Sequence, residues 1–468
     1  MLQKLFAIND MNIANGDPSL GSLYKRLIRI AWPAALEGAL MSIIGSIDTM
    51  MVGRLGTKEI AAVGLTNQPR MILLILAQAL CVGTTAVIAR RKGEGDQQGA
   101  KQCFGQSMMI VTVLGIFMTL VGFFCAEPFM KLAGANQDTL LLSTQYFRII
   151  SLAMLFNAWS LCICAAMRAI GLTKITLLTN LVANLVNVVL NYLLIEGHFG
   201  FPALGVRGAA IATAIGFITG SVIEFVVAFR KKNYIRLSLK NVFAFHKDII
   251  GRVSKIGSSF VLESLCLRVG FLLNSFLIAR LSTDAFATFQ IVSQVTMLTF
   301  TLGDGVAAAG AALVGQSLGE QRKDVAMAYA RASRKVSTVF SVLIILLIIV
   351  FRQTFAMLFT SNAAVIREAS IAFIVVAFAI YSQNGRVVYS GCLRGAGDVR
   401  FVAFISLISV AIIRPLCTFL FCYPLNGLLP GLHLSATGPW LAFLIDAVIR
   451  DSLLIHRINA RHWLFIRV

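Results

Sequence analysis

Two carboxylates stand inside one apolar run. Glu37 and Asp48 both fall in the stretch from Lys25 to Gly53, KRLIRIAWPAALEGALMSIIGSIDTMMVG. A carboxylate in hydrocarbon costs about 2.5 kcal/mol or more, so one that persists faces a cavity or a partner. There it can do two kinds of chemistry: take up and release a proton, or hold a cation. Eleven residues separate the pair. At about 100° per residue that returns to nearly the same face, about 16 Å along a helix axis. One helix therefore presents two acids on one stripe.

A second polar stripe lies in TNLVANLVNVVLNYLLI, where Asn180, Asn184, Asn187 and Asn191 recur every three or four residues. Such spacing places them on one helical face. Amide side chains on a membrane helix serve either as hydrogen-bonding glue between helices or as the lining of a polar cavity. The pattern alone leaves both readings open. Desolvation favours the neutral form of a lone carboxylate, so an acid such as Asp48 could accept a proton on one side and lose it on the other. An organic cation could compete for the same charge. Sodium would need several oxygen ligands at once, which Asp48 with the amide oxygens of Asn187 and Asn191 could supply.

These residues need elements to hold them, and composition says which. The 468 residues are 58% hydrophobic and 13% charged, with mean hydropathy +0.82. Soluble domains carry about 25% charged residues. Apolar runs reach spanning length again and again. The pattern predicts twelve transmembrane helices, at 25–53, 60–89, 104–126, 141–167, 175–196, 205–229, 254–280, 286–317, 333–358, 368–393, 400–423 and 436–457.

The chain is also a duplication. A single gapless shift of 226 residues carries Glu37 onto Glu263, Arg54-Leu55 onto Arg280-Leu281, Gln68 onto Gln294 and Gly93-Glu94 onto Gly319-Glu320. It also carries Arg168 and Gly171 onto Arg394 and Gly397. Internal repeats decide the architecture. The fold class expected is all-α and integral to the membrane, with two six-helix bundles related by a parallel repeat. The domains expected are a cytoplasmic tail 1–22, an N-lobe 23–229, a cytoplasmic linker 230–253, a C-lobe 254–458 and a cytoplasmic tail 459–468. Most of the 41 Lys and Arg fall near the termini, in the linker, and after the second, fourth, eighth and tenth segments. The positive-inside rule then puts both termini and the linker in the cytoplasm. The net charge of +20 is thereby accounted for without nucleic acid. The first 22 residues hold no signal-peptide core. The nine cysteines are scattered through apolar runs and read as small buried hydrophobes.

At these residues the chain resembles a known family. SIDTMMVGRLGTKEIAAVGL closes the first segment and opens the second, ALVGQSLGEQRKDVA closes the eighth, and RAIGLTK and LRGAGDVR follow the fourth and tenth. Together, in this order, they are similar to the multidrug and toxic compound extrusion (MATE) family of secondary transporters, in a bacterial branch. The resemblance implies an antiporter in the cell membrane, the inner membrane of a two-membrane cell. Proton or sodium entry would drive export of amphipathic, often cationic organic compounds by alternating access between two lobes. No other cofactor is implied; the partners are small organic substrates and the bilayer, and a monomer is expected. Family members place an N-lobe site on an aspartate of helix 1 and polar residues of helix 5, which match Asp48, Asn187 and Asn191, with Thr213 nearby. A second branch uses carboxylates of helices 7 and 10. Glu263 matches the first of these, and Gln383 stands at the second. Asn191 stands where some members have a second aspartate.

On this reading Asp48 is the main coupling group, with Glu37 and Glu263 behind it. Asn180, Asn184, Asp304, Gln383 and Arg386 are further candidates to line a cleft. Arg268 and Arg386 are expected to pair with intramembrane acids, and Glu224 and Asp446 to be structural. Pro33 and Pro415 each remove a helix hydrogen bond and permit a bend. The runner-up is a flippase for lipid-linked precursors, which would want a more cationic cleft. An enzyme is not indicated: none of the five histidines (His198, His246, His433, His456, His462) shares a helix with an acid at ligand spacing. No GxxxxGK[ST] loop is present for ATP.

Overall fold

The computed structural model describes residues 19–466 apart from 232, 245, 361 and 424–436. Most of the expected N-terminal tail and the last two residues lie outside that range. The described residues are helical: α1 Leu20–Gly53, α2 Thr57–Gly93, α3 Gln97–Phe124, α4 Ala126–Leu132, α5 Gln137–Leu152, α6 Met154–Ala169, α7 Thr173–Ile195 and α8 Val206–Phe229. They continue with α9 Leu239–Phe243, α10 Lys247–Ala279, α11 Thr283–Gly319, α12 Lys323–Met357, α13 Ala363–Ala396, α14 Val399–Ile408, α15 Arg414–Cys422 and α16 Gly438–Asn459.

Among the described residues ten helices are each long and apolar enough to span a bilayer, and the pair α5–α6, bent by 50°, makes an eleventh. The twelfth expected segment, 436–457, falls on α16. Its Asp446, Arg450 and Asp451 are too many charges for a simple apolar span, and all three are buried. They survive there because each is paired, as described below. The chain is a multi-pass membrane protein.

The chain folds as two compact units, Leu36–Ser258 and Met1–Ala35 with Ser259–Val468. In the first unit α2, α3 and α6 pack on one another, and α8 packs on α5 and α7. Gly208 sits where an added Cβ would strike the backbone carbonyl of Leu194, which lets α7 and α8 approach closely. The connection after α8 is anchored on this unit. Short helix α9 lies on α3, and buried Gln106 donates to the carbonyls of Asn241 (3.0 Å) and Ala244.

In the second unit α13 is central and packs against α11, α12 and α16. Its Gly391 faces the Ala307 carbonyl, which an added Cβ would approach to 2.7 Å. Between α14 and α15 the helix passes through one π-helical turn, Ser409–Ile413. Pro415 sits just beyond it, at the start of α15. A proline cannot donate back along the helix, so the missing bond and the wide turn occur together.

Backbone geometry echoes the 226-residue shift. Gly171 and Gly397 end helices at φ 84° and 91°, and Gly95 pairs with Gln321 at φ 73° and 59°. Glycine adopts this left-handed region freely, whereas another residue is strained there. Gln321 is exposed, so its side chain contributes little packing. Gln321→Gly is expected to raise stability by about 0.5–1 kcal/mol, the strain relieved less the added chain entropy. The check is the melting midpoint of the purified protein in detergent; a fall would show that Gln321 makes a contact worth more than its strain.

Candidate functional site

The two polar stripes meet inside the first unit. Asn180 Nδ2 donates to Glu37 Oε1 (2.8 Å), Asn184 Nδ2 to Met41 Sδ (2.8 Å) and Asn191 Nδ2 to Asp48 Oδ1 (2.8 Å). Each rung joins residues 143 apart, so α1 and α7 run side by side in one register. With its amide turned so that every group finds a partner, Asn187 Nδ2 donates to both Asp48 oxygens (3.0 Å each). Its Oδ1 then accepts from the Thr213 N–H (3.1 Å). Asn191 Oδ1 is buried and has no partner among the described residues. Asp48 thus has two amide donors, and among the described residues no Lys or Arg lies at ion-pair distance from it.

This register borders a cavity of about 310 Å³. Glu37, Met41, Gly45 and Asp48 of α1 line one side, and Asn180, Asn184 and Asn187 of α7 another. Thr213 and Phe217 of α8 and Leu161 of α6 complete it, with Arg70 of α2 and Arg168 of α6. Asn180, Asn184 and Asn187 therefore do both things their spacing allowed, binding α1 and facing the cavity, whereas Asn191 binds α1 without lining it.

The two acids of the stripe differ in kind. Glu37 is bound by Arg168 (3.2 Å), Thr176 (2.9 Å) and Asn180. Its charge is neutralised in place. The second unit repeats this cluster: Arg394 Nη2 donates to Glu263 (2.7 Å), as does Ser406 (3.1 Å). Glu263 is buried, and it lies outside the cavity of its own unit. Both glutamates are clasped by arginine, which fits lobe architecture better than the cation-coupling role expected of them.

Further along, the C-terminal counterpart of Asp48–Asn191 is Asn274–Thr418, with Thr418 Oγ1 donating to Asn274 Oδ1 at 2.7 Å. The spacing is 143 for Glu263–Ser406 and 144 for Asn274–Thr418. The π-helical turn at Ser409–Ile413 lies between them and inserts the extra residue. The acid at this depth exists in the N-terminal copy alone.

The second unit has its own cavity, of about 280 Å³. It is lined by Phe271, Asn274, Phe289, Phe300, Trp440 and Phe443, with Gln383, Arg386, Arg414 and Arg450. Arg386 Nε donates to Gln383 (3.1 Å) on its own helix. The expectation that Arg386 pairs with an acid is replaced by that amide contact. The acid of this region, Asp446, is taken by Arg414 (Nε at 3.0 Å), Arg450 (2.6 Å) and Ser409.

The MatE family profile matches residues 33–193 and again 260–420, one match in each half. The chain belongs to the MATE family. Members of this family are membrane transporters. The protein is 26% identical over 443 residues to the uncharacterized transporter YisQ of Bacillus subtilis, with 94% of each chain covered. It is 26% identical over 436 residues to the probable multidrug resistance protein NorM of Thermotoga maritima, covering 92% of this chain and 90% of that one. Among solved structures it resembles an outward-facing multidrug resistance MATE transporter of the MOP superfamily (TM-score 0.86, 20% identity, 94% of this chain and 96% of that one). It also resembles a MATE in complex with MaD3S (TM-score 0.85, 21% identity, 94% and 97%).

Within this MATE chain the remaining candidates separate. Asp304 is exposed on α11 and lines neither cavity. Glu224 is buried and accepts from Cys164 Sγ (3.0 Å) and Thr179 (3.4 Å). Arg70 escaped the sequence reading although it sits inside an apolar run, where any intramembrane charge is a candidate for function. It is a cation lining the Asp48 cavity, and its Nε is buried without a hydrogen-bond partner among the described residues. Arg414 and Arg450 escaped as well, although both lie inside their apolar segments, 400–423 and 436–457, where an intramembrane charge is a candidate for function. Among the described residues no group of three His, Cys, Asp or Glu could hold a metal ion.

Proposed function

We propose that the protein is a proton-coupled antiporter of the cell membrane that exports amphipathic organic compounds, with Asp48 as the coupling carboxylate and both termini cytoplasmic. The observation that carries this reading is Asp48 itself: an intramembrane acid in a cavity, held by two amide donors and paired with no cation among the described residues. An ionised carboxylate accepts both amide hydrogen bonds. A protonated one keeps the bond from Asn187 and gives its own O–H to Asn191 Oδ1 once that amide turns, an oxygen with no other partner among the described residues. The site is therefore built to be satisfied in both protonation states. The apolar flank, Met41, Leu161 and Phe217, suits the body of an organic compound that competes with the proton for Asp48. Relatives named as multidrug resistance proteins support the substrate class, and a single chain with both lobes supports action as a monomer.

Sodium is the second reading, and one observation favours it. Turning the Asn191 and Asn187 amides would bring their oxygens beside the Asp48 carboxylate, the ligand type a hard cation prefers. The two are separated with purified protein in liposomes and a fluorescent organic cation, imposing a pH gradient and a sodium gradient one at a time. Accumulation with the pH gradient alone is the expected result. Accumulation with sodium alone would replace the proton, and accumulation with neither would remove the antiporter reading.

A further inference from the structure

The C-terminal cavity has the opposite polarity to the one that holds Asp48. Three arginines line it, Arg386, Arg414 and Arg450, and no Asp or Glu among the described residues does. The acid behind it, Asp446, is already engaged: its Oδ2 accepts from Arg414 Nε and Nη2 and from Arg450 Nη2, and its Oδ1 from Ser409 Oγ. Donors are left over. Arg450 is only 2% exposed, yet among the described residues its Nε and Nη1 have no hydrogen-bond partner, and neither does the buried Trp440 Nε1. All three belong to side chains that line the cavity. Buried donors without acceptors cost about 1–3 kcal/mol each, more for charged ones, so this wall is suited to an acceptor from outside. Arginine offers five N–H groups in a planar fork that fits a carboxylate.

The rest of the wall is aromatic. Arg414 lies 5.3 Å from the Phe271 ring centre and 4.9 Å from that of Phe443. Trp440 and Phe289 are 5.3 Å apart, and Trp440 and Phe443 5.8 Å. Such rings take a flat apolar body.

We propose that this cavity is a binding site for an amphipathic aromatic anion, a carboxylate held by Arg386 and Arg450 with its ring system among Phe289, Trp440 and Phe443. The site goes beyond the coupling role of Asp48 and stands without it. It also distinguishes the two halves of the duplication. Where the N-terminal copy carries Asp48 the C-terminal copy carries Asn274, and where the C-terminal copy carries Arg386 the 226-residue shift finds Ser160.

The test measures binding to the purified full-length protein in detergent by isothermal titration calorimetry. It imposes no ion gradient, so it stands or falls apart from the coupling ion. The probes are 2-naphthoate, its neutral amide and the cation 2-naphthylmethylammonium. The expected result is that 2-naphthoate binds at least tenfold more tightly than either. Arg386→Gln should weaken it at least tenfold and Arg386→Lys less. Arg386 is the informative position, because Asp446 keeps both of its arginines when Arg386 is lost, and unchanged melting confirms the fold. Equal binding of the three probes, or 2-naphthoate binding untouched by Arg386→Gln, overturns the proposal. A lipid-linked pyrophosphate would seek the same donors. Farnesyl pyrophosphate displacing 2-naphthoate at a tenfold lower concentration than 2-naphthoate itself would reassign the site to lipid phosphates and overturn the aromatic carboxylate.

Discussion

Asp48→Asn is expected to reduce gradient-driven accumulation of an organic cation to the level of protein-free liposomes, with expression and melting midpoint little changed. The substitution is nearly isosteric and removes the group that can gain or lose a proton. The local hydrogen bonds tolerate it. An asparagine at position 48 can donate to Asn191 Oδ1, unpartnered among the described residues, once that amide turns, and its own oxygen accepts from the amide of Asn187. No buried cation is orphaned, since none is at ion-pair distance among the described residues. That is why the loss should appear in transport and not in folding. Asp48→Glu keeps an ionisable group and should retain part of the activity. Wild-type accumulation by the Asn variant would remove Asp48 from the mechanism. Loss of expression would show instead that the acid holds α1 against α7, the role assigned here to Glu37.

Much of this site was legible in the sequence, for a physical reason. Intramembrane acids and amides are costly enough to be sparse, so their spacing carries information. Glu37, Asp48 and the asparagine face of α7 were visible as two stripes of matching period, and the structure places them in register. Ten of the spans, and an eleventh as the bent pair α5–α6, were legible too, because hydrocarbon thickness sets helix length.

What escaped has equally definite causes. The 226-residue shift pairs Asn191 with Cys417, whereas the residue bonded to Asn274 is Thr418. A π-helical turn adds one residue without any signature in a gapless comparison. The arginine partners Arg168 and Arg394 were noticed as repeat markers and not as the counter-charges of Glu37 and Glu263. They lie 131 residues from those acids, and such pairing is a tertiary fact. The polarity of the C-terminal cavity was hidden for the same reason. Counting Asp446, Arg414 and Arg450 in sequence gives one acid against two arginines and does not say which nitrogens are engaged. Only the hydrogen-bond geometry shows both arginines on one carboxylate oxygen and two Arg450 nitrogens left over among the described residues.

Gly385→Ala is expected to be among the most destabilising single-methyl additions in the second unit, at about 3–5 kcal/mol, the range for breaking a buried ion pair. Gly385 lies on α13, and an added Cβ would coincide with the guanidinium of Arg334. Ordinarily the end of an arginine moves aside at little cost. Here it is fixed. Arg334 Nη1 and Nη2 donate to the two oxygens of Asp451 on α16 at 2.7 and 2.6 Å, a bidentate pair. Arg334 is 8% exposed and Asp451 4%, and the guanidinium also lies 5.0 Å from the Tyr381 ring. Displacing it leaves a buried carboxylate uncompensated, and it loosens α13 from both α12 and α16. The melting midpoint of the detergent-solubilised protein reads the effect directly. A double-mutant cycle identifies its cause. In an Arg334→Met, Asp451→Leu background the obstructing ion pair is gone, and Gly385→Ala should then cost about 1 kcal/mol or less, in line with an ordinary helical substitution. An equal cost in both backgrounds would place the clash elsewhere on the α13 surface and release Arg334 from its part in this packing.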